Sequence, residues 1–217
     1  MQRIAIFSIV WLAFVEIVTA QTFDISSGGT PTITGASGGS VSGSSSRTTD
    51  LNVTINFGEV SPSNTNSIVR VVVPIAIRSL AAYRVTATVT GGTNANVQAI
   101  QRSDIGFGAN NLRRTGLLSR NCTNSNHIFY SPFTTDPATS ITYNGAGRVV
   151  YPGDLGDVGT STTILTGPTL SWLTAGRLSS NAHIFDAIFV ITPQFYATGT
   201  STATVTFSIA AGPSVPC

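Results

Sequence analysis

The chain reads as all-β, an antiparallel β-sandwich of immunoglobulin-like or jelly-roll-like kind with about nine to eleven short strands. Three observations predict this. Apolar and polar residues alternate with a period of two in several stretches, which puts every second side chain on one face of a strand. The alternating residues are mostly Val, Ile, Thr and Phe, which suit a pleated surface. Gly, Pro, Asn and Ser punctuate the chain at short intervals, and beyond the first twenty residues no helical period emerges.

Residues 1–20 have the pattern of a signal peptide rather than part of the fold. Arg3 supplies the positive start, Ile4 to Val15 the apolar run, and Val18-Thr19-Ala20 a cleavage site before Gln21. Glu16 and the shortness of that run fall below the roughly 20 apolar residues that a spanning helix needs. The expectation is export to the cell surface or extracellular space, through a periplasm if the envelope is Gram-negative. No membrane insertion of the mature chain is expected.

Residues 21–50 form a Gly/Ser-rich lead. Phe23 and Ile25 alternate briefly, as do Thr32, Ile33 and Thr34, but Gly35 to Ser46 is nearly all Gly, Ser and Ala. Such a stretch buries too little to offset its ordering entropy, so it reads as a flexible segment with one short edge strand. The alternative is a donor strand that completes the sheet of a neighbouring subunit.

The β domain proper is expected over 51–217. Leu51, Val53, Ile55 and Phe57 alternate with Asn52, Thr54 and Asn56. An apolar run covers Ile68 to Ile77, and Tyr83, Val85, Ala87 and Val89 alternate with Arg84, Thr86 and Thr88. Thr93 to Ile100 is a further candidate strand. Ser103 to Gly108 reads as a turn anchored by Ile105 and Phe107, with glycines that permit positive φ. Leu112 to Leu118 is a candidate short strand. Ile141–Tyr143 and Arg148–Tyr151 suggest a hairpin around Asn144-Gly145. Short strands are expected at Thr163–Leu165 and Leu170–Leu173. Ile184 to Thr192, apolar on both faces except at Asp186, suits a central strand. Ala203, Val205, Phe207 and Ile209 close the pattern.

Charged residues make up only 9% of the chain, so solubility rests on Ser, Thr, Asn and Gly. All 11 basic residues are Arg, which excludes Schiff-base lysine chemistry and Lys–Asn isopeptide crosslinks. A net charge of +2 is too small and dispersed for a nucleic-acid partner. Arg113, Arg114 and Arg120 form a basic cluster, read as a solvated loop. Cys122 and Cys217 most simply form one disulfide in an exported chain, the alternatives being two free thiols or a bridge from Cys217 to another chain.

No catalytic constellation stands out, and neither a cofactor nor a metal site is expected. His127 and His183 are the only histidines, too far apart in sequence to suggest a zinc site. Alternation puts His183 and Asp186 on opposite faces, against a Ser/His hydrolase. Asp154 and Asp157 are the closest carboxylates; they read as turn-capping residues, with calcium as the alternative. Trp172 reads as core, which leaves Tyr130, Tyr143, Tyr151 and Tyr196 as candidates for a sugar platform. Asn52 and Asn121 stand in glycosylation patterns.

Asn56-Phe57-Gly58-Glu59-Val60-Ser61-Pro62, the valine-rich strand and Tyr83-Arg84-Val85-Thr86 resemble the start of secreted bacterial pilin-like domains of the spore coat U and fimbrial-subunit group. Phe195 to Thr200 with Ala203 to Phe207 resembles the closing strands of that group. The cysteines are placed differently. The resemblance implies an extracellular structural or adhesive subunit with no catalytic residues, its partners being other surface subunits or itself. An extracellular carbohydrate-binding module, with glycans as partners, is the alternative.

Overall fold

The computed structural model describes residues 22–35, 38–43, 49–58, 60, 68–91, 99–115, 126–169, 182–194 and 202–215. Among them there is no α-helix. The thirteen strands are β1 Phe23–Ser27, β2 Thr32–Thr34, β3 Ser40–Gly43, β4 Asp50–Asn56, β5 Val69–Ser79, β6 Tyr83–Gly91, β7 Gly106–Thr115, β8 Ile128–Phe129, β9 Thr142–Tyr143, β10 Val149–Val150, β11 Thr162–Gly167, β12 Ala182–Ile191 and β13 Thr202–Ala211.

Two antiparallel sheets stack into a sandwich. The first runs β1-β5-β12-β7, with β2 beside β1 on the same edge of β5; the second runs β3-β4-β13-β6-β11-β8. Period-two alternation decides what each strand buries. Ile25, Val71, Ile75, Ile77, Phe185 and Phe189 point inward from the first sheet, and Leu51, Val53, Ile55, Val85, Val205 and Phe207 from the second. Phe107 joins them, its ring centroid 5.2 Å from Phe189 and 5.1 Å from Phe133. On the outer face of the second sheet Thr54 bonds Thr204, Thr206 bonds Asn52 and Ser208 bonds the Asp50 carboxylate, a mainly hydroxyl ladder.

The first sheet carries a partial third layer. Ile188 and Val190 on the outer face of β12 pack against Val149, Tyr151, Ile141 and Ala138. Arg70 ties this layer down through Asp136 at 2.6 Å, and the Tyr151 hydroxyl bonds Thr192 at 2.9 Å. That covering explains why β12 is apolar on both faces, as a central strand between β5 and β7 should be.

Several expectations need correction. The lead is not one short edge strand in a flexible segment: β1, β2 and β3 all come from it, and Ile25 is fully buried. Ser103 to Gly108 is not a turn built on positive φ, because Gly106 and Gly108 open β7. A side chain there would meet the Tyr151 ring at 2.7 Å or the Thr135 carbonyl at 2.1 Å, so these glycines admit the outer layer. Arg113 and Arg114 lie in β7, not in a solvated loop. The hairpin of β9 and β10 forms, but its positive φ falls on Gly147 rather than Gly145. The Asn144 carboxamide oxygen accepts from Ala146 and Arg148 and so sets a longer turn. The candidate strands Thr93–Ile100 and Leu170–Leu173 fall largely or wholly outside the described residues.

Candidate functional site

The N-terminal segment occupies the edges of both sheets. β1 pairs with β5 from Phe23↔Ser79 to Ser27↔Ile75, and β2 resumes on β5 at Thr32↔Val72. The break falls at Pro74. Gly28 donates to the Pro74 carbonyl at 2.8 Å, so the side of Pro74 that lacks an N–H also faces this segment. The chain then crosses to the second sheet, where β3 pairs with β4 from Ser40↔Asn56 to Gly43↔Val53. Ile25 inserts into the core, while Asp24 and Ser26 point outward to Arg78, at 3.4 and 2.9 Å.

Beside the Ile25 row the core turns polar. The register puts Ile25 opposite Ile77 and Ile77 opposite His183. Odd-numbered positions of β12 face inward, so His183 lies on the same side as Phe185 and Phe189. His127, just before β8, packs on His183 with ring centroids 4.7 Å apart, and Tyr83 lies 5.9 Å from His127. His183 Nε2 and the Tyr83 hydroxyl are buried without a hydrogen-bond partner. Burial first, then His127 and Arg114, push the His183 imidazole down from 6.5 to about 4. Burial pushes the Tyr83 phenol far above its ordinary value. Gly167 makes the packing possible, since a Cβ there would lie 2.5 Å from the His127 ring.

Asp186 points the other way, as the alternation predicts. A bulge in β7 opposite Ile184 and Asp186 contains Asn111 at φ 54, a conformation that Asn tolerates. It lets Asn111 Nδ2 and Arg113 Nη1 reach the two carboxylate oxygens at 2.6 and 2.7 Å. The polar residue in an apolar strand is therefore a satisfied ion pair.

A cleft of about 240 Å³ lies at the rim of the outer layer, lined by Ser103, Asp104, Asn144, Arg148, Val149, Val150 and Asp154. Arg148 holds both Asp104 oxygens at 3.0 and 3.1 Å, and Gln101 N donates to the same carboxylate at 2.9 Å. Asp154 and Asp157 close their own turn: Asp154 Oδ1 accepts from Gly156 at 2.7 Å and from Asp157 at 3.2 Å, and Asp157 Oδ2 accepts from Asp154 at 3.2 Å. Burial and then the Asp157 charge raise the Asp154 carboxyl to about 6. Among the described residues no group of three or more His, Cys, Asp or Glu side chains is placed to hold a metal.

The two histidines, too far apart in sequence to suggest a zinc site, are thus in contact, on the inner face rather than at the surface. Of the tyrosines, Tyr143 and Tyr130 are exposed, whereas Tyr151 is buried and its phenol is raised to about 12 mainly by that burial. Asn52 lies on the exposed face of β4. Cys122, Cys217, Trp172, Tyr196, Arg120, Asn121 and the proposed leader lie outside the described residues. No helix among the described residues is long and apolar enough to cross a membrane. Comparison with family models, with curated proteins and with solved structures finds no match to this chain.

Proposed function

We propose that this chain is an exported structural or adhesive subunit of the cell surface that self-assembles by exchanging its N-terminal edge strands between copies. One observation carries the reading. The lead lies on the open edge of β5 with Ile25 fully buried, and a Gly/Ser stretch joins it to the next strand. A strand that completes its own sheet through backbone hydrogen bonds and one buried anchor makes the same contacts when a neighbour supplies it. The leader pattern, the scarcity of charge and the hydroxyl-rich outer face support an extracellular setting.

Chain reach supports the Cys122–Cys217 bridge. Gly212 N donates to Ala82 O at 3.0 Å, and a Cβ on Gly212 would lie 2.3 Å from the Tyr83 backbone. His127 packs on the Tyr83 ring. Each cysteine stands five residues from one of these anchors, and five residues span up to about 17 Å.

Size-exclusion chromatography with light scattering, on the exported chain with and without residues 21–50, tests assembly. Concentration-dependent multimers only when the segment is present are expected; monomers from both chains overturn the reading. The cleft beside Asn144, with exposed Tyr143 on the neighbouring hairpin, favours a second reading as a sugar-binding module. Saturable binding of a monosaccharide or short glycan by the monomer, lost in Arg148→Ala, would favour that reading instead.

A further inference from the structure

His183, packed against His127, sits where a proton is costly and where its cost reaches the N-terminal strand. His183 is 1% exposed and His127 8%. From β5 the neighbour across the strand is Ile77, from β7 it is Arg114, and from β6 Tyr83 lies against His127. From β11 it is Gly167, which carries no side chain. The carboxylate on β12 itself, Asp186, faces away to Arg113, and Asp24 faces outward to Arg78. Among the described residues, the charges that act on His183 come from His127 and Arg114, both of the sign that opposes a further proton.

We propose that the His127–His183 contact is an acid-sensitive latch: a neutral His183 packed on His127 keeps this end of the sandwich closed, and a proton on His183 loosens it and frees β1. The path is one row across the first sheet, from His183 to Ile77 and from Ile77 to the Ile25 anchor. In an opened end His183 takes its proton near 6.5, whereas in the closed end it does so only near 4. Acid therefore favours the open state, and the advantage of the closed state is lost progressively as pH falls through that window. The link from a freed β1 to assembly rests on the exchange reading above.

Hydrogen exchange on the exported chain tests the latch directly. Once corrected for intrinsic exchange rates, protection of Phe23 to Ser27 should fall by about tenfold to a hundredfold between pH 7.5 and pH 4.5. His183→Leu should remove most of that pH response and His127→Phe a smaller part of it, since burial of His183 outweighs the charge of His127; the second variant keeps the test alive if the first does not fold. Equal protection at both pH values in the unaltered chain, or an undiminished response in both variants, overturns the latch. Mixing two differently tagged batches gives the other arm. Tagged chains that combine faster at pH 4.5 support the coupled proposal. Protection that falls while tagged chains never combine at any pH supports the latch and overturns exchange.

Discussion

Ile25→Ala is the sharpest perturbation of the edge strand. Ile25 is fully buried, faces Ile77 across the ladder and belongs to a strand packed against β4 and β13. The substitution removes roughly three methylene-sized groups, worth about 0.8 kcal/mol each in transfer free energy. Neighbours anchored in β5 and β13 cannot follow an edge residue inward, so a cavity adds to that loss and brings the total to about 2–4 kcal/mol. The strand lies at an edge, however, and its detachment sets a ceiling: once β1 is released, further loss of docking no longer weakens the remaining sheets. Urea denaturation of the exported chain should therefore show a lower midpoint with little change in slope. The melting temperature should fall by about 2–4 °C for each kcal/mol lost. Thr32→Ala, exposed on β2, is the control and should stay within about 0.5 kcal/mol. A loss below about 0.5 kcal/mol for Ile25→Ala would refute the docking of β1 on β5.

Gly108→Ala should destabilise by about 1–3 kcal/mol, because its Cβ would lie 2.1 Å from the Thr135 carbonyl, whereas Gly145→Ala, with open space around it, should be neutral or slightly stabilising; paired thermal melts compare them. Arg148→Met should cost about 1–3 kcal/mol in denaturant titration, since it leaves the buried Asp104 carboxylate without its cation. Stability should also depend on pH through two groups of opposite sign. His183, lowered to about 4, destabilises the fold as pH falls from 6.5 towards 4, by up to about 3 kcal/mol. Asp154, raised from 3.8 to about 6, favours the fold fully below 3.8 and loses that contribution as pH rises from there through about 6. Asp154→Asn keeps the acceptor for Gly156 and Asp157, so it should stabilise the chain at pH 7–8 by about 1 kcal/mol, discounted for partial exposure, and change little near pH 4.

Strands were legible where period and composition agreed; their partners were not. Leu51 to Phe57, Tyr83 to Val89 and Ala203 to Ile209 show the alternation that β4, β6 and β13 use, and the doubly apolar run of β12 marks a central strand. Yet β4 pairs with β13, about 150 residues away, and β5 and β6 lie in different sheets although they are adjacent in sequence. Alternation specifies a face, not a neighbour. Local composition also misled where tertiary contact decides. The Gly-Phe-Gly of β7 imitates a turn because the outer layer requires the same small residues. The Gly/Ser lead imitates a linker because strands at an edge are held by backbone bonds and need few apolar side chains. His183 shares the parity of Phe185 and Phe189, but in a strand apolar on both faces that parity does not say which face is the inner one. His127 has no strand pattern of its own, so nothing in the sequence brought the two rings together.

Pro74 connects these observations to the proposed strand exchange. A proline within a dense apolar run argues against a strand paired regularly on both sides, but sequence alone cannot say which side is interrupted. In the fold, β5 meets β12 in an unbroken register from His183↔Ile77 to Ile191↔Val69, and the missing donor falls on the side of the N-terminal segment. That segment is accordingly held by two short ladders with Gly28 and Gly29 between them rather than by one long ladder. Releasing it breaks the weaker pairing of β5 and leaves the stronger one intact. A subunit that exchanged its edge with a neighbour would need this asymmetry: a core pairing that survives exchange and an edge pairing whose loss is matched when the neighbour's copy docks.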